Sequence, residues 1–490
     1  MMKKRSQRLI GGASTLLFLL GAGCAHVPSL YGQPGTSAAP QTPWVPPPPA
    51  RVAPATPSTA PPLPTQLPPG ADHLSLAQVV DIALRTSTQT RAAWASARAA
   101  AAAYGSKEGS WYPDVNLGAN VSRQRSAPSN GVQAPEQRTY GGTADFSWML
   151  FNFGGRRAAI DETRQALLAA DWNHNAVIQN VVLAVEQAYY QYVTAKALLA
   201  SEQSTLKEAR ANLDAANAQH QAGLATIADV LQAQTAVSQV QFSVAGLQGQ
   251  ISTTRGALAT AMGLPADLDF DVEGLPETPP RQEAAVEVDR ALEEAKANRP
   301  DLAAARAEAM QAEAHLRAVR AAQYPAFTAG GVGARTFPDN PDHPYSTYTA
   351  TLGVRVPLFT GFSQQYDVQQ SKAEVDLARA QLQSAEQAVI LQVWTSYYDF
   401  KTAQERLAAS DDLLKSASQA HDAVLGRYQA GVGSILDLMT AEAALEGARA
   451  QQVQARSDWY MFLAQFAHDT GTLAPTTPSA KENPQEEKKP

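Results

Sequence analysis

Two aspartates occupy matching places in this sequence. Asp229 follows Thr226 by three residues, Asp437 follows Ser434 by three, and a glycine, Gly223 or Gly431, lies just upstream of each pair. A Ser or Thr N-cap with an acidic residue three positions on is a capping box, here with Asp in place of Glu or Gln, in which hydroxyl and carboxylate each take one orphan backbone N–H. The carboxylate also meets the positive end of the helix dipole. Glycine suits the left-handed residue that stops the preceding helix. The stretches QHQAGLATIADVLQAQTAV (219–237) and RYQAGVGSILDLMTAEAAL (427–445) therefore describe one object built twice: a helix stopping and another starting.

Other chemistry is hard to find. Eight histidines, among them His220, His315, His421 and His468, show no HxxxH or similar ligand spacing. No glycine-rich phosphate loop stands beside a strand, and there is no nucleophile elbow. One cysteine, Cys24, excludes a disulfide framework. A net charge of −7 without a basic stripe argues against nucleic acid. No catalytic, metal or cofactor site is expected.

The elements that carry the tips are long. From about 156 to 221 no proline or glycine interrupts the chain, and Ile160, Leu167, His174, Val181, Ala188 and Ala195 recur every seven residues. Such a seam of mostly small side chains suits close antiparallel packing. About 66 helical residues reach roughly 100 Å, far more than a globular domain needs. A partner helix follows at about 226–262, and the pair recurs at about 363–429 and 434–469. Shorter helices, about Leu76–Trp111 and Val286–Gln323, precede each unit. QAYYQY at 187–192 matches TSYYDF at 395–400 at the same offset of 208 that separates the aspartates, so the chain is an internal duplication. Tyr189, Tyr190, Tyr397 and Tyr398 read as packing residues on these helices.

Between the short and long helices lie segments of period two, about 113–151 and 325–359. Val115, Leu117, Ala119 and Val121 oppose Asp114, Asn116, Asn120 and Ser122; Phe146, Trp148 and Leu150 oppose Thr143, Asp145 and Ser147. Each segment forms a hairpin with a polar, proline-containing loop, SAPSNGVQAPEQ or PDNPDHP. About ten alternating residues per strand is the pattern of a membrane barrel. Four strands cannot close one, because open edges in lipid strand their backbone groups. Several chains must contribute.

The ends have their own chemistry. Residues 1–23 are a signal peptide: a basic start, an apolar run from Leu9 to Leu20, then small residues. Cys24 directly after them resembles a lipobox cysteine, the lipidated mature N-terminus, and Ala25 in place of Asp implies the outer membrane. Residues 24–73 are a proline-rich tether and 471–490 a disordered tail. The two repeats span 74–285 and 286–470.

Taken together, the doubled architecture, Leu-Phe followed by Gly at 150–155 and 358–361, NRPDL at 298–302 and the AGxxxxxD tips resemble the outer-membrane efflux protein family, the TolC-like channel-tunnels, over about residues 74–470. Thr86-Ser87-Thr88 departs from the pattern that Asn298-Arg299-Pro300 follows. The resemblance implies an α+β membrane protein: a homotrimer whose twelve strands form one barrel, continuous with a periplasmic α-helical tunnel. It implies a passive exit duct for a tripartite efflux pump or a type I secretion system, with a periplasmic adaptor and an inner-membrane pump as partners beside outer-membrane lipid. A structural periplasmic coiled-coil lipoprotein is the alternative of another class. In the family the tips form the tunnel's narrow inner end, so Asp437 and Asp229 are aperture candidates, where a carboxylate ring would select cations. The plainer reading of both is helix capping. Thr440 stands where the family has a second aperture carboxylate. Arg427 and Tyr428 are candidates for links that hold the closed state. Gly223, Leu224, Thr226, Gly431, Val432 and Ser434 are candidates for adaptor contact.

Overall fold

A computed structural model describes residues 37, 39–45, 73–125, 137–275, 287–338 and 344–473. The signal peptide, Cys24, most of the tether, the centres of both hairpin loops and the tail from 474 lie outside the described residues.

The first copy comprises α1 (Leu76–Thr86), α2 (Thr88–Glu108), β1 (Asp114–Gln124), β2 (Gln137–Phe151), α3 (Gly155–Gln221) and α4 (Ile227–Ala261). The second repeats them as α5 (Val288–Asn298), α6 (Pro300–Ala321), β3 (Ala326–Pro338), β4 (Tyr345–Arg355), α7 (Ser363–Gln429) and α8 (Ile435–Asp469). The strands form one antiparallel sheet in the order β1-β2-β3-β4. Both β1 and β4 keep an unpaired edge, which a membrane tolerates only when another chain covers it.

The register sorts the side chains onto two faces. Val115, Phe146 and Ala350 share a row with Gly331; Leu117, Ala144 and Tyr348 share the next with Gly333. The opposite face carries Asn116, Asp145, Thr349 and Thr351, with Asn116 donating to Asp145 at 3.1 Å. One glycine of β3 has a packing reason: the Phe146 ring lies over Gly331 and leaves no room for a Cβ. Sequence alternation places Leu150 on the face of Phe146 and Trp148. A bulge between Met149 and Phe151 corrects this, because Phe151 takes the place opposite Phe327. At this base of the sheet Phe151, Phe153, Tyr324 and Phe327 form an aromatic cluster, with Phe153 stacked on Tyr324 at 5.5 Å. Arg156 braces it by donating to Met149 O at 2.6 Å while its guanidinium covers the Trp111 ring at 3.8 Å.

The short helices expected at 76–111 and 286–323 are each broken, at Ser87 and at Arg299. The same duplicated contact accounts for both breaks. Gly263 ends α4 with φ +74°, and a Cβ there would lie 3.1 Å from Thr86 C and O. Gly471 ends α8 with φ +73°, and its Cβ would lie 2.9 Å from Asn298 C. Each glycine thus admits the backbone of a break against a helix end. The chemistry differs between copies. Ser87 caps α2 by accepting from Thr90 N, and Thr86 donates to Met262 O. In the second copy Pro300 opens α6, and the buried Arg299 grips Asp301 with Nε at 3.0 Å and Nη2 at 2.6 Å, while Nη1 donates to Asp469 O at 3.3 Å. The departure of Thr86-Ser87-Thr88 from the family pattern therefore changes the chemistry and keeps the break.

Helix α3 is the spine of the molecule, packing against α2, α4, α6 and α8. Its seam residues Ile160, Leu167, His174, Val181 and Ala195 are buried. The largest core lies near its middle, where Ile178, Val181, Val185, Tyr189 and Tyr190 meet Val79, Leu258, Met262, Phe270, Val272 and Trp459. Tyr190 stacks on Tyr460 at 5.4 Å, and Tyr189 donates to Glu273 O at 2.9 Å. Tyr397 and Tyr398 pack edge to face, with Tyr398 exposed in the single chain.

The tether reading needs one correction. Residues 39–45 are docked on α3: Asn175 accepts from Trp44 N at 2.6 Å and donates to Trp44 O at 2.7 Å, and His174 Nε2 meets Pro40 O at 2.8 Å. The Trp44 ring packs edge to face on Trp172 and is only 5% exposed. A proline-rich chain has no core of its own, yet one tryptophan buries enough apolar area to anchor it.

One turn from His174, Asp171 is fully buried, and neither carboxylate oxygen has a hydrogen-bond partner among the described residues. Burial pushes its pKa up to about 8. The folded form therefore holds a proton that the unfolded chain releases near the ordinary value of 3.8. Stability from this site is full below that value and is lost as pH rises through about 8, a loss on the order of 2 kcal/mol between pH 6 and 9. Asp171→Asn is expected to flatten that segment of the pH profile, with the thermal midpoint of the solubilised protein rising relative to the parent at pH 9. Identical slopes in both proteins would show that Asp171 does not titrate there.

Candidate functional site at the paired helix tips

Both reversals stop by the same backbone device. Leu224 N donates to Gln219 O at 2.9 Å and Gly223 N to His220 O at 3.0 Å; Val432 N donates to Arg427 O and Gly431 N to Tyr428 O, both at 3.0 Å. These are paired Schellman bonds, which require the left-handed residue supplied by Gly223 at φ +76° and Gly431 at φ +75°. Leu224 and Val432, the residues after those glycines, stay exposed.

The restarts differ. Thr226 accepts from Asp229 N, and Asp229 Oδ2 accepts from Thr226 N at 2.7 Å, so the first box is reciprocal. At the second tip Ser434 accepts from Asp437 N at 3.1 Å, and the Asp437 carboxylate accepts no hydrogen bond among the described residues. The sequence reading of two equivalent boxes is corrected here: the second is open, and Asp437 is an exposed carboxylate left to solvent. Thr440 donates to Leu436 O, an ordinary back-bond within the helix.

The two tips lie together. Ala216 and Ala233 of the first meet Tyr428, Ile435 and Leu438 of the second in one small core. Tyr428 is 5% exposed, and its hydroxyl has no hydrogen-bond partner among the described residues. Burial, aided by the Asp229 charge, raises its pKa. Its neighbour Arg427 is exposed and makes no ion pair among the described residues. Gly433 is needed for this geometry, since a Cβ would sit 3.0 Å from Tyr428 N. The sequence reading missed an apolar surface around the tips, formed by Ile227, Leu231 and Leu436 with Leu224 and Val432. Its signal was available in the apolar residues directly after each cap.

No group of three or more His, Cys, Asp or Glu gathers as a metal site among the described residues. The arrangement presents two reversals at one end of helices roughly 100 Å long, with the sheet at the other end. Against known proteins, the sequence model of the outer membrane efflux proteins matches residues 79–264 and 291–471, one span per copy. The chain belongs to that family. It is similar to Protein CyaE of Bordetella pertussis, at 30% identity over 83% of this chain and 85% of that protein. It is similar also to the pyoverdine export outer membrane protein OpmQ of Pseudomonas putida, at 28% identity over 77% and 82%. The solved outer-membrane channel OprN shares its fold with a TM-score of 0.73 and 20% identity, over 81% of this chain and 90% of that one. CusC shares it with a TM-score of 0.72 and 19% identity, over 81% and 92%. The chain is thus an efflux channel of the outer membrane with a periplasmic helical portion, and it works by conduction, not catalysis.

Proposed function

We propose that three copies assemble into a twelve-stranded barrel above a helical tunnel, forming the exit duct of a tripartite efflux pump. The observation that carries this reading is the sheet: it is apolar on one face, polar on the other and open at both edges. Closure by identical neighbours pairs every edge and leaves the polar face lining a pore. Efflux is favoured over protein secretion by the relatives that carry pump names, such as the antibiotic efflux pump outer membrane protein ArpC of Pseudomonas putida. Cys24 would carry the lipid anchor. The exposed apolar tip residues fit a periplasmic adaptor, with the inner-membrane pump engaged through it.

Within that duct the two aspartates take different roles. Asp229 is held in its capping box and stabilises a helix start. Asp437, unengaged and exposed, forms a three-fold carboxylate ring at the aperture. Arg427 reaches a neighbouring chain and Tyr428 packs the gate from within. In planar bilayers, purified Asp437→Asn trimers are expected to show lower cation selectivity by reversal potential and weaker block by trivalent cations. Asp229→Asn keeps the parent's selectivity. Equal, parent-like behaviour of both variants would place the gate elsewhere, and a protein that is monomeric and gives no conductance would overturn the duct itself.

A further inference from the structure

The internal duplication reaches into the ladders of the sheet. Positions of β1 and β3 correspond at an offset of 212, since Tyr112-Pro113 matches Tyr324-Pro325, and positions of β2 and β4 at 208, since Leu150-Phe151 matches Leu358-Phe359. Under these offsets the β1–β2 ladder becomes the β3–β4 ladder without a slip. Its first pair, Asp114 with Ser147, becomes Ala326 with Arg355, and its last, Gln124 with Gln137, becomes Thr336 with Tyr345. The middle ladder, β2–β3, joins the two repeats and has no counterpart within the chain. Its counterpart would join β4 to β1, the two strands that keep open edges.

The edges are shaped for that missing ladder. Strand β2 runs on past the start of β1, and Trp148, Met149 and Phe151 pair with β3 alone. The equivalent residues, Val356, Pro357 and Phe359, follow the end of β4 at Arg355, where the single chain offers them no strand. Leu358 among them is 91% exposed, against 38% for its equivalent Leu150. Pro357 takes the place of Met149, where β2 starts its bulge, and a bulge is one of the few strand positions that suit proline. The pairs Thr143–Ala334, Ser147–Gly330 and Trp148–Ala329 carry over as Thr351 with Ser122, Arg355 with Gly118 and Val356 with Leu117. Apolar then meets apolar on the outward face, and on the polar face the long Arg355 side chain meets a residue with none. A slip by one residue would set apolar side chains against polar ones. A slip by two keeps the faces but sets Arg355 against Asn116 or Asn120.

We propose that β4 of one chain pairs with β1 of a second copy in the register that joins β2 to β3, so that the seam between chains repeats the joint between repeats. The proposal rests on the barrel reading above, because only a closed barrel brings these two edges together. In the seam β4 lengthens through Phe359, which comes opposite Val115 as Phe151 lies opposite Phe327. Joints within chains and joints between them then share one register, and the barrel closes without a slip.

Engineered cysteine pairs test the register, and the parent, with Cys24 as its single cysteine, is the blank. Residues directly opposite in an antiparallel ladder have Cα atoms about 4.5–5.5 Å apart, within reach of a disulfide. Diagonal neighbours, two residues off, lie about 7–8 Å apart, at or beyond that reach. In outer membranes oxidised with copper phenanthroline, Ser122→Cys/Thr351→Cys is expected to give reducible covalent dimers and trimers. The yield should be at least tenfold above that of Asn120→Cys/Thr351→Cys or Gln124→Cys/Thr351→Cys. Ser122 and Thr351 lie on the polar face, and both changes are small, so assembly should persist. Val356→Cys/Leu117→Cys is expected to cross-link as well, which reads the extension of β4 independently. Native mass spectrometry of the same proteins counts the chains before oxidation. Trimers that cross-link as well through the diagonal pairs, or that leave either opposite pair unlinked, overturn the register and leave the duct standing. Monomers that cross-link through no pair overturn the duct reading, and the register falls with it.

Discussion

Arg299→Met is expected to destabilise the protein by about 3–5 kcal/mol, the usual cost of stripping one partner from a buried ion pair. The Arg299 and Asp469 side chains are 7% and 5% exposed. Without the guanidinium, Asp469 keeps hydrogen bonds from His468 at 2.9 Å and Gln465 at 3.0 Å, which places the loss toward the lower end of that range. Burial works against the charged form of Asp469, but those bonds, with the His468 charge, hold its pKa below 3.8. Asp301 is likewise held low against burial by its bond to and charge from Arg299. For depressed carboxylates the stabilisation is full above the ordinary pKa and disappears as pH falls through the folded value. The difference between Arg299→Met and the parent should therefore be largest near neutral pH and shrink below pH 4. The double variant Arg299→Met/Asp469→Leu should recover most of the loss, because the carboxylate then left without its partner, Asp301, is 45% exposed and keeps its solvation. Denaturant midpoints across pH would measure both effects. A single variant within about 0.5 kcal/mol of the parent, the usual scatter of surface changes, would mean that the break between α5 and α6 is held by the glycine contact alone.

This site also marks where sequence reading ran out. The duplication, the long helices and the two-faced strands are periodic signals repeated over many residues, and periodicity survives local exceptions. Pro300 disfavours helix at Arg299 and marks that break locally, but the partners at both breaks, Gly263 against Thr86 and Gly471 against Asn298, lie far off in sequence, and no local pattern encodes those meetings. The cap geometry was legible at both tips, since a Schellman glycine and an N-cap hydroxyl are local chemistry. The difference between the tips was not: Ser434-x-x-Asp437 and Thr226-x-x-Asp229 are the same words, and only the carboxylate rotamer separates a closed box from an open one. Trp44 was hidden by its neighbours. A proline-rich composition describes an average, whereas docking depended on one tryptophan meeting Asn175 and Trp172. The bulge at Leu150 follows from the same limitation, because a two-residue period cannot announce the place where it slips.

The register itself carries the last prediction. Leu117 lies on the middle outward row with Ala144 and Tyr348 and is 81% exposed in the single chain. In an assembled barrel that exposure is to hydrocarbon, where arginine at the midplane costs about 2–4 kcal/mol. Leu117→Arg is expected to lower the yield of heat-resistant oligomer in the outer-membrane fraction severely. Its neighbour Asn116 points to the opposite face and bonds Asp145. Asn116→Arg brings the same guanidinium to a solvated carboxylate and should assemble like the parent. Because the two substitutions differ by one position in sequence, propensity and general damage to the strand cancel between them. Opposite results would mean that the faces are exchanged, and equal assembly of both that this sheet never meets lipid. A graded outcome is informative as well: arginine introduced at Val121, two rows nearer the outer rim, should cost less than at Leu117, since the penalty falls to about 0–1 kcal/mol at the interface. That gradient would also explain why this face carries arginines only beyond its middle row, Arg335 opposite Gly142 and Arg123 opposite Arg138.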